Sequence, residues 1–460
     1  MPGIAAIRDH LGTLLAEIAS SHGVPGAVCG VLLGGEISVA PHGLANVATG
    51  VVTTPDTLFQ IGSLTKLYTT TLVMQAHSAG VLALDEPVRS QLQEFSVGDP
   101  GATLEITPRH LLTHTSGIAG DHLLDTGAND DALQRYVATL AALGQAHAPD
   151  ESYSFCNTGF GVLGRMIELT TGGNFDQSLR RRLTRPLGCG ATLTLPQHLL
   201  LRRTAVGHNQ LPGEEPVRQS RWTLTRSNGP MGGIVCTAED LLAFARMHLE
   251  SGMAADGTEI VPAAAVELMT EPHLDTPVPG EQQAIGWTIT HWGDAACLAQ
   301  DADTFGQRAY LRVVPSRGFA LCVLTNSPLG EAVASDLIPR VAADLLDLDA
   351  KPAWGAKPAT DPPEPVADPE PYVGTYARLH QRVVVSEDAG QLTLTVEPSG
   401  VLAALGGRRE VVPLRPLDVD NGVFELTDPA TGVAQVAVFD DGIDVSRALH
   451  LDGRLHRRWT

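Results

Sequence analysis

Phe59-Gln-Ile-Gly-Ser63-Leu-Thr-Lys66, running on into Leu67-Tyr-Thr-Thr-Thr-Leu-Val-Met74, is the stretch from which the rest of the chain can be read. It sets a hydroxyl and an amine three residues apart at the head of a helical pattern that extends from about Ser63 to Ala79. Residues i and i+3 share a helix face, so the Lys66 side chain lies beside the Ser63 hydroxyl. A helix N-terminus also offers backbone N–H groups and the positive end of its dipole to a developing oxyanion. A neutral amine in that place takes the serine proton during attack, which makes Ser63 a candidate nucleophile and Lys66 its base, working through an acyl-serine.

A lone S-x-x-K arises readily by chance, and a serine at that position also serves as a helix cap. Lysine usage decides between the readings. Of 31 basic residues only three are lysines, namely Lys66, Lys351 and Lys357; the other 28 are arginine. Arginine holds its proton too tightly to act as a base, whereas a buried lysine can be tuned neutral. Two of the three lysines fall in a proline-rich stretch, so the catalytic-sized part of the chain has kept a single lysine, three residues after a serine.

Outward from this stretch the pattern is mixed. Ile4, Ile7, Leu11, Leu14, Leu15 and Ile18 recur at helical spacing and predict an amphipathic opening helix. Ala27 to Leu33, Gly34-Gly35 and Glu36 to Ala40 read as a β-hairpin. Helical patterns then dominate to about His248, after which 285–292, 308–314 and 319–324 read as strands and 336–346 as a closing helix. Strands at both ends of a largely helical middle predict an α+β domain over 1–349 whose sheet joins the two ends. Seven prolines between Lys351 and Pro371 mark a linker over 350–371. Residues 372–460 alternate as strands do, with Asn421-Gly422, Asp441-Gly442 and Asp452-Gly453 as turns, and read as an all-β barrel or sandwich.

The formal net charge of −21 argues against nucleic acid and against docking to an anionic membrane as partners. No apolar run approaches the roughly 20 residues of a membrane span. The N-terminus has no basic region followed by an apolar core, so no signal peptide is expected. The six cysteines are scattered, without C-x-x-C or metal-ligand spacing, and read as buried thiols in a cytoplasmic, reducing setting. There is no H-E-x-x-H, no G-x-S-x-G elbow, no P-loop and no dinucleotide fingerprint, so neither metal nor other cofactor is expected.

Four further stretches carry a family resemblance: Gly80-Val-Leu-Ala-Leu-Asp-Glu-Pro87, Leu111-Leu-Thr-His-Thr-Ser-Gly117, Asn157-Thr-Gly-Phe-Gly-Val-Leu-Gly164 and Gly232-Gly-Ile-Val-Cys-Thr-Ala-Glu-Asp240. With 59–66, and in this order over residues 5 to 345, they resemble the serine β-lactamase-like and penicillin-binding-protein-like family. That family includes class C β-lactamases, D-alanyl-D-alanine carboxypeptidases, esterases and penicillin-binding-protein-type thioesterases. The resemblance implies a helical domain packed on a mostly antiparallel sheet, a site in the cleft between them, and a C-terminal lipocalin-like β-domain.

Two family motifs are altered. The second normally reads Tyr-x-Asn, its tyrosine helping to move the proton and its asparagine orienting the substrate. Here Asn157 is kept but Phe155 stands at the tyrosine position, and phenylalanine exchanges no proton. Tyr153, two residues away on an extended segment, is a candidate relay, or else an ordinary half-buried aromatic. The third motif normally has Lys or His, any residue, then Gly. Here it reads Gln300-Asp301-Ala302, followed by Asp303. Glutamine donates a hydrogen bond without charge, and Ala302 adds a methyl where the family leaves room for substrate backbone. Phe155, Gln300, Asp301, Ala302 and Asp303 are thus the expected substrate-binding positions, and the resemblance assigns the oxyanion hole to the backbone N–H groups of Ser63 and Asp303. His114 is expected to be a packing element.

Ser63, Lys66 and Asn157 therefore predict a serine acyl-enzyme hydrolase or acyl transferase. Its substrate would be a small ester, thioester or activated amide, a carrier-bound peptidyl group in biosynthesis included. β-Lactam hydrolysis is not expected. The alternative is a repurposed fold with a non-covalent catalytic or binding role, as the residues Phe155 and Gln300 imply.

Overall fold

The computed structural model describes residues 4–350, 365–404, 407–443 and 446–459. Helix α1 (Ile4–Ser21) leads into the hairpin β1 (Gly26–Leu33) and β2 (Glu36–Asn46). The central helices are α2 (Thr65–Ser78), α3 (Asn157–Thr171) and α4 (Ala238–Leu249). Strands β3 (Thr288–Trp292), β4 (Ala295–Thr304), β5 (Gln307–Val314) and β6 (Phe319–Thr325) precede the closing helix α5 (Gly330–Leu346).

These strands form one antiparallel sheet in the order β2-β1-β6-β5-β4-β3, extended at its edges by two-residue strands at 51–52, 274–275 and 282–283. Ala27 stands opposite Thr325 and Leu33 opposite Phe319, so the first and last strands of the domain are neighbours. The strand residues alternate between two apolar layers, as a strand covered on both faces must. Cys29, Val31, Leu321 and Val323 meet Leu11, Leu15, Leu337 and Val341 of α1 and α5. Val28, Leu32, Cys322 and Leu324 meet the layer built by Leu67, Leu241 and Leu242 of α2 and α4. Helix α2 lies inside the helical domain with every residue from Thr65 to Met74 buried, which is why it shows no clear amphipathic stripe.

The C-terminal part contains β7 (Gly374–Arg378), β8 (Gln381–Asp388), β9 (Gln391–Pro398), β10 (Glu410–Pro413), β11 (Arg415–Asp418), β12 (Val423–Thr427), β13 (Ala434–Ile443), β14 (Ser446–Leu451) and β15 (Arg454–Trp459). Their order is β10-β9-β8-β7-β15-β14-β13-β12-β11, and the two edge strands are joined in sequence by Leu414 alone. Only a sheet curled back on itself brings its edges that close, so this is a nearly closed barrel. Tyr372, Phe424 and Phe439 fill its interior, with ring centroids 4.9 to 5.5 Å apart.

The α+β reading thus holds. Asn421-Gly422 and Asp452-Gly453 lie in turns, whereas Asp441-Gly442 falls in β13, where the register with β14 shifts. The linker expected at 350–371 lies largely outside the described residues. Among the described residues no helix is long and apolar enough to cross a membrane.

Candidate active site

Ser63 lies in a 3-10 turn, Gly62–Leu64, and the α-helix read from about Ser63 begins two residues on, at Thr65. The turn is held tightly against β4. Gly62 has φ +46°, and a Cβ there would meet Thr304 Cγ2 at 2.8 Å and Asp303 O at 3.2 Å. Only glycine satisfies both the positive φ and the close approach. This contact brings the turn that carries Ser63 against the Ala302–Thr304 stretch of β4.

Lys66 reaches back along its helix, and its Nζ donates to Ser63 Oγ at 2.9 Å and to the Met231 carbonyl at 2.9 Å. The side chain is 1% exposed. Burial first, and then the Arg454 charge, push its amine down to about 7, with Asp121 and Cys156 pulling the other way. The amine therefore exists partly in its basic form at neutral pH, within hydrogen-bonding distance of the hydroxyl it would deprotonate.

The ring facing Lys66 is Phe155, 4.7 Å from Nζ to centroid, with Phe160 at 5.5 Å. Phe155, expected at the tyrosine position, is thus a ring that faces the Lys66 amine. The structure does not bring Tyr153 to the same point. Its ring packs edge-on against His114 at 5.8 Å, and among the described residues its phenol makes no hydrogen bond to Ser63 or Lys66. Burial pushes that phenol well above its ordinary range, which further unsuits it to relay a proton.

His114 explains the shape of this segment. It adopts a left-handed backbone, φ 61°. Its carbonyl accepts from Ser154 N at 2.9 Å and its Nδ1 accepts from Cys156 N at 2.9 Å. Its ring lies 4.6 Å from that of Phe155. Burial, then the charges of Lys66 and Arg454, hold it down at about 3, so it stays neutral and acts as a clamp, which fits its expected packing role.

In β4, alternation sends Gln300 and Ala302 to the face that meets Gly62, while Asp301 and Asp303 point to the other. Asp301 is engaged there by Arg312, at 3.0 Å for one oxygen, and Asp303 by Arg308 at 3.4 Å. The carboxylates of Asp301 and Asp303 are thus turned away from the face that meets Gly62, and at these expected substrate-binding positions only the backbone faces that side. Gln300 Nε2 donates to the neighbouring Asp301 carbonyl at 3.1 Å.

Sequence reasoning missed one component altogether. Asn157 Nδ2 donates to Asp121 Oδ1 at 2.8 Å, and the other Asp121 oxygen receives Arg378 Nη1 at 2.5 Å and Arg454 Nε at 3.0 Å. Both arginines belong to the barrel. Burial alone would raise the Asp121 carboxyl, but Arg454, Arg378 and the Asn157 amide together hold it well below the usual carboxylate range. Arg454 also lies 4.8 Å over the Phe155 ring. It follows the Asp452-Gly453 turn, whose Gly453 carbonyl accepts from Phe155 N at 2.9 Å. The only sequence signal was that turn dipeptide, which says nothing about what the turn touches. Beyond Tyr153, a cavity of about 570 Å³ opens between the two domains, with Thr115, His273, Pro277, Phe439 and Asp440 among its walls.

The chain is similar to known proteins over most of its length. The Beta-lactamase family model matches residues 7–345. Penicillin-binding protein 4 of Amycolatopsis lactamdurans is 40% identical over 366 residues, covering 78% of this chain and 95% of that protein. The crystal structure of SurE superposes with a TM-score of 0.79 at 29% identity, covering 99% of this chain and 100% of SurE. The structure of SurE with D-Leu gives 0.77 at 28% identity, with 99% and 100% covered.

Proposed function

We propose that this chain, which belongs to the Beta-lactamase family, is a serine acyl-enzyme hydrolase or acyl transferase with Ser63 as nucleophile and Lys66 as base. The observation that carries this is the 2.9 Å contact between a buried lysine amine and the Ser63 hydroxyl, the amine lying near neutrality. The neutral amine removes the Ser63 proton as Oγ attacks an acyl carbon. The backbone N–H groups of Ser63 and Asp303 receive the oxyanion, and the leaving group departs with the proton from Lys66. Water, an amine or an alcohol then takes the acyl group by the reverse proton path.

With Phe155 and Gln300 in place of the second and third proton-handling groups, good leaving groups are favoured. This directs the reading to esters, thioesters and activated amides. SurE has been crystallised with D-Leu, which supports an amino-acyl or peptidyl substrate, and a carrier-bound peptide belongs to that class. β-Lactam turnover is not expected, although the Amycolatopsis relative carries penicillin binding in its name.

Intact-mass measurement after incubation with a fluorophosphonate, p-nitrophenyl esters, acyl thioesters and benzylpenicillin tests this reading. A stoichiometric adduct or turnover that Ser63→Ala abolishes is the expected result. No adduct with any of them overturns it in favour of a non-covalent role, the second reading that the missing phenol at Phe155 favours.

A further inference from the structure

We propose that the Asp452–Arg454 turn of the C-terminal barrel is a working part of the catalytic centre, with Arg454 a positioning residue that acts through Lys66 and, by way of Asp121, through Asn157. The inference rests on the reading of Lys66 as base.

The geometry is that of a built joint. The turn has positive φ at both central residues, 52° at Asp452 and 66° at Gly453, the backbone of the tight hairpin turns that Asp-Gly favours. Its tip is bonded to the second-motif segment on both sides: Phe155 N donates to the Gly453 carbonyl at 2.9 Å, and Leu455 N donates to Ser154 Oγ at 3.2 Å. Arg454 is then fixed from two directions, by Asp121 through Nε and by Asp452 through Nη1, at 3.0 and 2.5 Å. A guanidinium so held cannot swing away, and it rests on the ring that Lys66 also faces, 4.8 and 4.7 Å from the same centroid.

A fixed cation near a buried amine disfavours protonation of that amine. The titratable groups around Lys66 are Ser63 from the turn before α2, His114 from the loop at 113–116, Asp121, Cys156 just before α3, and Arg454. Thr69 and the carbonyls of Pro230 and Met231 complete the surroundings without charge. Asp121 favours the protonated amine, but its charge is already shared among two arginines and the Asn157 amide. His114 stays neutral. Arg454 is therefore a positive charge from outside the α+β domain that tips Lys66 towards its basic form, and Asp121 ties the same turn to the orienting asparagine. On this inference the site is complete only with the barrel docked.

The scarcity of lysine supplies the test. Full-length protein with ¹³C at lysine Cε shows signals from only Lys66, Lys351 and Lys357, and loss of one signal in Lys66→Met assigns it. In the wild type the Lys66 signal titrates near neutrality, far below the other two. Arg454→Met is expected to raise its midpoint by about one pH unit or more, and Arg454→Lys, which keeps the charge and adds a fourth signal, is expected to restore it. An unchanged midpoint in Arg454→Met overturns the inference. So does a rise of equal size in both variants, which would assign the effect to lost packing. The readout needs no acylation, so a protein with no Ser63 adduct but an Arg454-dependent midpoint would sink the acyl-enzyme reading alone.

Discussion

At Lys66 one side chain carries the site. The amine sits where charge is costly, and its two hydrogen bonds, to Ser63 Oγ and to the Met231 carbonyl, serve either protonation state. Because its midpoint lies near 7, the acylation rate is expected to rise with pH through neutrality and to level off once the amine is fully unprotonated. Lys66→Arg keeps a donor at that position but not a base, since guanidinium holds its proton across this whole range. It is expected to lower the rate of Ser63 acylation by a hundredfold or more, on the order of general-base contributions, with no rise through neutral pH. Stopped-flow acylation with a p-nitrophenyl ester checks both, and a wild-type-like profile in Lys66→Arg would remove Lys66 as the base. Ser63 and Lys66 were legible in sequence because their contact is a local one, set by helix geometry alone. The partner of Asn157 was not. Asp121 lies 36 positions away, and nothing in its flanking residues announces that it faces an asparagine and two arginines.

Elements tell a similar story at larger spacing. The hairpin of β1 and β2, the apolar run of β6 and the two flanking helices were visible as periodic patterns, since each buries a face whose spacing the sequence must repeat. Strand β4, which lines the cleft, was not read from periodicity. Near the nucleophile its sequence, Ala295-Ala-Cys-Leu-Ala-Gln-Asp-Ala-Asp-Thr304, sets Gln300, Ala302 and Thr304 towards Gly62 and Asp301 and Asp303 towards Arg312 and Arg308, and neither set is strongly apolar. Helix α3 shows how closely the elements around the nucleophile are fitted. A Cβ at Gly164 would run into the ring of Pro230. Pro230 and its neighbour Met231 supply the carbonyls that hold Thr69 and Lys66 at 2.7 and 2.9 Å. Gly164→Ala is therefore expected to destabilise the fold by about 1–3 kcal/mol, the usual size of an overpacking change, and to slow acylation by moving the Met231 carbonyl. Urea unfolding with the same esterase assay measures both, and an unchanged midpoint would show that α3 can shift aside without effect.

Across the whole molecule the two domains meet where the chemistry is, and the charged part of that junction centres on one buried carboxylate. Asp121 is 4% exposed and neutralises Arg378 and Arg454 of the barrel. Replacing it by asparagine leaves Arg378 buried without this counter-charge and Arg454 with Asp452 alone, and breaking a buried pair typically costs about 3–5 kcal/mol. The sign of the pH dependence follows from the depressed carboxyl. Its folded-state value lies below the unfolded one, so its stabilisation is fully present above about pH 4, the unfolded carboxylate range, and is lost as pH falls through the folded value. Calorimetry of the wild type is accordingly expected to show a single cooperative transition at neutral pH that separates into two on acidification, as the barrel lets go of the α+β domain. Asp121→Asn is expected to show two transitions at neutral pH already, with little further change in acid. Acylation should decline together with the separation, since the turn bearing Arg454 leaves with the barrel. A single transition in Asp121→Asn, at the wild-type temperature, would mean that the domains are held by their apolar contacts and that the carboxylate is incidental to the joint.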